Sequence, residues 1–183
     1  MNRKETANWE IKEDHIYEQF HLFTLKRSSR ANPRTGKVVP FFLMEGLDWV
    51  NIIPITERNT VVLVRQYRHG SESFTIETPG GTVEPGEDPK ATALRELTEE
   101  TGFVAPDAMH LGTLHPNPAM QGMRIHYYLS RNVVQTSTQA LDPGEDISVI
   151  EKPIEEVYGM IRSGEIASAL VVAAFGLWSL KEK

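Results

Sequence analysis

Short runs of apolar residues, many of them β-branched, recur between polar turns along much of the chain, a pattern that predicts β-strands. The clearest strands are residues 49–55 and 61–68, with a polar turn at 56–60 between them. Near the C-terminus the apolar positions become denser and favour helices, one opened by Pro153 and one over residues 164–180. We therefore expect an α+β fold in which helices cover a mixed sheet.

The N-terminal quarter of the chain predicts a small β unit. Residues 9–25 alternate loosely and are rich in Ile, Tyr and Phe, residues 38–44 form another strand, and the composition of 28–37 indicates a turn between them. So short an antiparallel unit has too little sequence for a core of its own and must pack on the rest of the chain or on another subunit. We predict residues 1–48 as a dimerisation element and 49–183 as the main domain.

Residues 81–103 break the strand pattern and predict a tight loop followed by a short acidic helix. Asp88 followed by Pro89 is a typical helix start, because Asp is a good N-cap and Pro loses no hydrogen bond at the first helical position. The helix is expected to end near Thr101, since Gly102 supplies the left-handed backbone that commonly stops a helix.

Glu96, Glu99 and Glu100 lie three and four residues apart, which places their carboxylates on one surface of this helix. Like charges at that spacing destabilise an isolated helix by about 0.2–0.5 kcal/mol per pair, and Arg95 relieves only part of the repulsion. A hard divalent cation, which prefers oxygen ligands, is the natural partner for such a cluster. The alternative from the residues alone is a solvated acidic face.

The same stretch resembles the Nudix box, Gly-x5-Glu-x7-Arg-Glu-apolar-x-Glu-Glu-x-Gly-apolar, at every fixed position. With each of the fully fixed residues at a frequency of about 1 in 15, a given start would match by chance on the order of once in 10^8. The resemblance to the Nudix hydrolase superfamily implies an α/β/α sandwich around a mixed sheet, with the N-terminal β unit added to it. The matching residues are Gly81, Glu87, Arg95, Glu96, Leu97, Glu99, Glu100, Gly102 and Phe103.

The resemblance implies a metal site. In the family, the glutamates that match Glu96 and Glu100 are the main ligands of Mg2+, for which Mn2+ is an acceptable substitute. A backbone carbonyl at the position of Gly80 often joins them, and Glu99 can contribute to metal binding and catalysis. This arrangement suits Mg2+, which prefers a few carboxylates plus substrate phosphate oxygens to a cage made only of protein.

The resemblance also assigns roles outside metal binding. Arg95 corresponds to a residue that orients the glutamates, and Glu87 is expected to brace the loop on the helix, with metal binding as the alternative. In the ADP-ribose branch the general base lies on a loop between the last strands, which here is residues 141–146. We predict Glu145 as the base and keep Asp142 as the alternative; Glu145 could instead bind metal.

Residues that flank the box narrow the substrate class. Arg65 and Arg68 on the preceding strand, with Glu77 ahead of the glycines, are similar to the pattern in ADP-ribose and nucleoside diphosphate sugar pyrophosphatases. A proline about fifteen residues beyond the box, here Pro118, belongs to the same pattern. One arginine is expected to donate charge-assisted hydrogen bonds to the diphosphate. Glu77 could meet ribosyl hydroxyls, bind metal or pair with an arginine.

The implied function is Mg2+-dependent hydrolysis of nucleoside diphosphate sugars such as ADP-ribose or GDP-mannose to a nucleoside monophosphate and a sugar 1-phosphate. The first alternative is a Nudix enzyme that acts on a dinucleoside polyphosphate, NADH or a nucleoside triphosphate. The second is a sensor that binds ADP-ribose without cutting it, although such modules usually lose box glutamates that this chain keeps. Trp9, Phe20 and Trp49 are candidates for stacking on the nucleobase, with core packing as the alternative.

Composition and charge exclude several partners. The formal net charge of −6 argues against nucleic acid, because duplex binding relies on basic residues, and the absence of cysteine excludes disulfides and thiolate metal sites. No apolar stretch follows the basic residues at positions 3–4, and the apolar run 166–180 is shorter than the roughly 20 residues of a membrane span. We expect a cytoplasmic homodimer with exchanged N-terminal elements and no membrane partner.

Overall fold

The computed structural model describes residues 8–182 of the chain. Residues 1–6, which carry the expectation of no secretory leader, lie outside that range. Within it, no helix is both long and apolar enough to cross a membrane. The helices are α1 (Pro89–Thr101), α2 (Ile154–Ser163) and α3 (Ala169–Lys181). The strands are β1 (Glu10–Gln19), β2 (Phe23–Ala31), β3 (Val38–Gly46), β4 (Trp49–Thr56), β5 (Thr60–Arg68), β6 (Ser73–Glu77), β7 (Phe103–Val104), β8 (Met109–Leu114), β9 (Ile125–Gln135) and β10 (Ile147–Pro153).

Among the described residues, seven strands form one sheet in the order β10-β5-β4-β9-β7, with β6 also paired to β5 and β8 to β9. Strands β4 and β9 run parallel, whereas the other pairs are antiparallel. The predicted mixed sheet is therefore confirmed. Its one parallel pair joins strands that lie far apart in the sequence, and such a pairing needs a long crossover between them.

Residues along the central strands alternate between two apolar layers, one on each face of the sheet. On β4, Ile53 and Ile55 belong to the layer completed by α2 and α3, while Val50 and Ile52 belong to the layer completed by α1. None of the four is more than 1% exposed. Burying each such side chain contributes about 1.5–3 kcal/mol. The helices therefore cover both faces of the sheet, as expected for a sandwich.

The pairing of β5 shapes the region where the glycine loop runs. One edge of β5 pairs with β10, and the other pairs with β6 near the C-terminal end of β5. Strand β4 is paired with β5 at a single residue pair. The backbone that follows β6 lies along β4 instead: Val50 N–H donates to Gly81 O and Ile52 N–H donates to Pro79 O, each at 2.9 Å. These bonds hold the loop against the sheet as an extra strand would.

The described residues divide into two compact units, 8–47 with 115–123 and 48–114 with 124–182. The first unit contains the antiparallel sheet β1-β2-β3. Segment 115–123, remote in sequence, joins this unit through two bonds to Met44: Met44 N–H donates to Met120 O at 2.8 Å, and Gly122 N–H donates to Met44 O at 3.0 Å. The dimerisation role of the first unit stays a prediction.

Two predicted boundaries are wrong. The turn expected over residues 28–37 begins only at Asn32, because β2 continues to Ala31 and pairs with a strand on each side. Polar residues at its end made it look like a turn, although Ser28 is fully buried. The last helix begins at Ala169 instead of near 164, because Gly164, with a φ of +82°, ends α2.

Candidate active site

The acidic helix forms where the sequence predicts it, and both of its ends are fixed. Pro89 opens α1, and the carboxylate of Asp88 accepts a hydrogen bond from Ala91 N–H at 3.1 Å. The helix stops at Gly102, which has a φ of +73° and donates its N–H to Thr98 O. The predicted helix start and stop are confirmed. Together they set which face of α1 carries the glutamates.

Two glycines ahead of α1 permit close approach of the backbone. A Cβ at Gly80 would collide with the carbonyl oxygen of Val50, and a Cβ at Gly81 would lie 2.5 Å from the carboxylate carbon of Glu96. No side chain fits at either position unless β4 or the glutamate moves. The loop therefore presents bare backbone to the carboxylates of α1, as glycine does wherever a chain must pass close to another group.

Glu100 is a buried carboxylate with little to neutralise it. It is 3% exposed, and its Oε2 accepts a hydrogen bond from Gly80 N–H at 3.0 Å. Burial raises the pKa of Glu100 to about 8; the Gly80 bond offsets part of the rise, and the charges of Glu96 and Glu145 add to it. Burial likewise raises the pKa of Glu96. For these two neighbours, the protein itself supplies too little positive charge to favour ionisation.

Arg95 pairs with Glu87 and Glu99 and also contacts Glu96, whose pKa stays raised because burial outweighs that contact. Its Nη1 lies 2.7 Å from Glu99 Oε2 and 3.0 Å from Glu96 Oε1, and its Nε donates to Glu87 Oε1 at 3.1 Å. The bond to Glu87 is the largest cause of the raised pKa of Arg95, and it lowers the pKa of Glu87. Arg95 thus links the loop to the helix. Its orienting role and the part of Glu99 in metal binding or catalysis stay predictions.

A second buried carboxylate, Glu77, is fully compensated by its neighbours. It is 7% exposed, and Arg68 donates from Nε to Oε1 at 2.9 Å and from Nη2 to Oε2 at 2.7 Å. The Thr75 hydroxyl donates to Oε1 at 2.5 Å. Burial alone would raise the pKa of Glu77, but these hydrogen bonds outweigh it and leave the pKa below its ordinary value. Of the roles that the sequence leaves open for Glu77, pairing with an arginine is the one seen here.

The two arginines predicted to meet the diphosphate lie on opposite faces of β5. Side chains alternate along a strand, so Arg68 shares the face of Val62, toward α1, whereas Arg65 shares that of Leu63, toward α2 and α3. The guanidinium carbon of Arg65 lies 4.0 Å from the ring centroid of Phe74, a cation–π contact. The structure therefore brings Arg68 to the acidic cluster and does not bring Arg65.

The predicted general base lies on the expected loop between β9 and β10. Glu145 N–H donates to Asp142 O at 2.9 Å, and Glu145 Oε2 accepts from Asp142 N–H at 3.0 Å, so the turn closes on itself. After burial, the charge of Glu145 is among the causes of the raised pKa values of Glu96 and Glu100. The loop thus brings a further carboxylate within electrostatic reach of them. Its role as base, and Asp142 as the alternative, stay predictions.

Pro118, the remaining predicted substrate residue, belongs to the N-terminal unit. There it lines a cavity of about 780 Å³ together with Trp9 and Arg30. Trp9 packs edge-on against Phe41, with ring centroids 5.4 Å apart. Trp49, by contrast, packs against the apolar layer of α2 and α3, which favours a core role for it. Pro118 and Trp9 are thus grouped, and both stay candidates for substrate contact.

The residues around Glu100 suit a divalent cation. Across residues 8–182 no three His, Asp or Glu side chains are grouped as a ready metal site. The donors at hand are the buried carboxylate of Glu100, the partly buried carboxylate of Glu96 and the bare backbone at Gly80. Such a partial set of hard oxygen donors fits an ion that completes its shell with water and phosphate oxygens, as Mg2+ does.

Comparison with known proteins identifies the class to which this fold and site belong. The family model described as "NUDIX domain" matches residues 48–174. The chain belongs to the NUDIX domain family. This range includes the loop, α1 and the strands around them.

Two relatives resemble this chain over nearly three quarters of its length. One is named methanol dehydrogenase activator, from Bacillus methanolicus; it is 35% identical over 134 residues, which are 73% of this chain and 72% of the relative. The other, ADP-ribose pyrophosphatase of Bacillus subtilis (strain 168), is 31% identical over 134 residues, with the same coverage of each chain. Both resemblances are strong enough to support the family assignment.

A solved structure shares the fold almost from end to end. It is the crystal structure of an ADP compounds hydrolase, with a TM-score of 0.84, 24% sequence identity, and coverage of 97% of this chain and 95% of that one. At this identity the likeness confirms the architecture, including the predicted sandwich and the additional small antiparallel sheet.

Two polar residues of the site escape sequence reasoning. Thr75 donates to the carboxylate of Glu77, and the side-chain amide of Gln139 donates to backbone carbonyls at Glu100 and Ile147. A single threonine in a strand and a single glutamine in a polar loop carry no pattern that separates them from solvent-facing residues. Only the tertiary structure shows what they bind.

Proposed function

We propose that this chain hydrolyses the diphosphate bond of nucleoside diphosphate sugars, with Mg2+ as cofactor and Mn2+ as a substitute. Water adds to one phosphorus, the bond from that phosphorus to the bridging oxygen breaks, and a nucleoside monophosphate and a sugar phosphate are released. Membership of the NUDIX family supports a hydrolase of this class. The name of the Bacillus subtilis relative supports ADP-ribose as a substrate.

The observation that carries the proposal is the state of Glu100. The ionised form of a carboxyl group 3% exposed, next to a second one of raised pKa, is unfavourable unless a cation takes the place of the proton. A bound Mg2+ would draw negative charge from the diphosphate oxygens as the P–O bond breaks. Glu96 and Glu100 would hold that ion, and the backbone at Gly80 lies beside them to join in.

Other side chains of the α1 face would receive the substrate. Arg68 would donate to a phosphate oxygen, with its guanidinium held in place by the bidentate bond to Glu77. Glu145 would accept a proton from the attacking water. Arg95 would keep Glu99 oriented through the 2.7 Å bond between them. Each of these assignments can be tested separately.

The N-terminal unit supports a homodimer. All ten residues of β1 are exposed in the single chain. Among the described residues of this unit, four apolar side chains are more than half exposed: Ile11 at 53%, Ile16 at 58%, Val38 at 55% and Phe42 at 56%. Exposed apolar area of this kind commonly marks an interface. We propose a homodimer located in the cytoplasm. A monomeric mass in light scattering at micromolar concentration would contradict the proposed dimer.

An assay of nucleotide release tests the proposed function. ADP-ribose, GDP-mannose, UDP-glucose, a diadenosine polyphosphate and NADH are incubated side by side with Mg2+, with Mn2+, and with EDTA. We expect nucleoside monophosphate from at least one nucleoside diphosphate sugar, lost in EDTA and restored by excess metal. Tight binding of ADP-ribose without any product would contradict the proposal and favour the sensor.

The general base is tested by Glu145→Gln, which keeps the shape of the side chain and removes its basicity. We expect kcat to fall by on the order of 10^2-fold or more, in the range that general base catalysis supplies. Asp142→Asn, on the same turn, tests the alternative base and should keep kcat within a few-fold of wild type if Glu145 is the base. Should Glu145→Gln stay within a few-fold of wild type while Glu100→Gln is inactive, Glu145 is not the base.

A further inference from the structure

The acidic loop that carries Glu145 is docked on the C-terminal end of α1. Gly102 O accepts hydrogen bonds from Thr136 N–H at 3.0 Å and from Ser137 N–H at 3.3 Å. Further along, Ala140 N–H donates to Glu99 O at 2.8 Å. A Cβ at Gly102 would collide with the carbonyl oxygen of Ser137, so the two segments are in close contact. The loop therefore leaves β9 along the last turn of the box helix.

Gln139 joins the two ends of this loop with one side chain. Its Nε2 donates to Glu100 O at 2.6 Å and to Ile147 O at 3.0 Å. Glu100 O is among the last carbonyls of α1, which have no partner within the helix, and Ile147 begins β10. Both amide hydrogens are thus used. Gln139 is partly buried, although the residues beside it are exposed.

We infer that Gln139 is a positioning residue: it fixes the loop that presents Glu145 to the box glutamates. The segment that it closes, residues 140–146, contains the self-bonded turn from Asp142 to Glu145. Because both ends of this segment are hydrogen-bonded, one to α1 and one to β10, the turn has little freedom to move relative to Glu96 and Glu100. The inference rests on the proposed function, since it concerns where the predicted base stands. It adds a residue outside the Nudix box.

Geometry explains why this contact bears on the reaction. A general base must stand within hydrogen-bond reach of its water, and a displacement of about 1 Å can cost on the order of 100-fold in rate. Without the amide of Gln139, loop 140–146 would be held by the Ala140 bond at one end and by the pairing of β10 at the other. The loop would fluctuate more, and Glu145 would spend less time in place.

The test uses Gln139→Met, which keeps the length of the side chain and removes both donors without adding charge. Gln135→Met, at the exposed end of β9, is the matched control. Hydrogen–deuterium exchange of peptides that cover 136–147, measured without substrate, reads the loop directly. We expect about tenfold faster exchange in Gln139→Met and unchanged exchange in Gln135→Met. Unchanged exchange in Gln139→Met would overturn the inference.

Kinetics then decide whether the contact acts through Glu145. In the wild-type background we expect Gln139→Met to lower kcat about tenfold with little change in KM, because the loop positions the base and not the substrate. In the Glu145→Gln background the same substitution should change kcat by less than about twofold, because the residue it positions is already inactive. Equal losses in both backgrounds would overturn the inference.

The outcomes separate this inference from the proposed function. If the wild-type chain releases no nucleotide from any substrate of the panel, the proposed function fails, and the kinetic role of Gln139 fails with it. The exchange measurement still decides whether Gln139 holds the loop. If hydrolysis is present and the loop loosens without loss of kcat, the proposed function stands and the positioning role is wrong.

Discussion

Glu77 and Glu100 are the same residue type at similar burial, and the protein treats them in opposite ways. Glu77, 7% exposed, receives two bonds from Arg68 and one from Thr75, and its pKa is lowered. Glu100, 3% exposed, receives one backbone N–H and faces other carboxylates, and its pKa is raised to about 8. Both lie on the α1 side of the sheet.

The difference separates a carboxylate that holds the fold together from one proposed to bind metal. Burial penalises the charged form in both cases, so what separates them is the compensation that each receives. An arginine fork stabilises the Glu77 charge within the protein. At Glu100 the ionised form needs compensation from outside the chain, and a divalent cation with its substrate is the class of ligand that could supply it.

The largest effect is expected for catalysis. Glu100→Gln should lower kcat with Mg2+ by on the order of 10^3-fold or more, since it removes an anionic ligand at the point where the reaction builds charge. Glu77→Gln should lower kcat by no more than about tenfold, because it disturbs only the support of Arg68. Nucleotide release at saturating Mg2+ measures both variants. Similar losses of kcat in Glu100→Gln and Glu77→Gln would show that the two carboxylates do not differ in function.

The next effect concerns stability and pH. Glu77→Gln should cost about 1.5–3 kcal/mol at pH 7, the usual range for hydrogen bonds to a charged group. Because the pKa of Glu77 in the folded protein lies below its ordinary value of 4.5, the carboxylate stabilises the fold above that pH and loses this contribution as pH falls through the folded value. The free energies of unfolding of wild type and Glu77→Gln, measured with urea, should therefore approach each other as the pH falls from 7 to 3. A difference in unfolding free energy that stays constant with pH would contradict the stabilising role of the Glu77 carboxylate.

The smallest effect is expected at Arg65. Its guanidinium lies over Phe74 on the far face of β5, so Arg65→Ala should change kcat/KM by less than about threefold, while Arg68→Ala lowers it by about 10–100-fold. Melting temperatures of both variants show whether a lower kcat/KM reflects lost substrate contact or lost stability, since Arg68→Ala also leaves Glu77 without its arginine partner. A larger loss for Arg65→Ala would show that this arginine meets the substrate after all.

Much of the fold and of the candidate metal site follows from local sequence. Asp88, Pro89 and Gly102 mark the ends of α1 because capping and left-handed backbone are properties of single residues. The spacing of Glu96 and Glu100 then places both carboxylates on one helical face. Short apolar runs bounded by polar turns predict most strands for the same reason, since both features are local properties of the sequence.

What sequence cannot give are contacts between distant segments. The face of β5 on which Arg65 lies depends on which helices cover each side of the sheet, and the sequence pattern of the strand does not say so. Ser28 looks like a turn residue but is buried between paired strands. Gln139 gains its meaning only when the loop docks on α1. In each case contacts with distant segments determine the role of the residue, and local composition does not predict those contacts.

Mn2+ binding without substrate, measured through the electron paramagnetic resonance signal of the free ion, shows directly whether Glu100 holds a metal and Glu77 does not. Wild type and Glu77→Gln should bind Mn2+ with affinities equal within about twofold, and Glu100→Gln should bind at least about tenfold more weakly. Equal affinity in wild type and Glu100→Gln would contradict the account, and so would an equal loss in Glu77→Gln and Glu100→Gln.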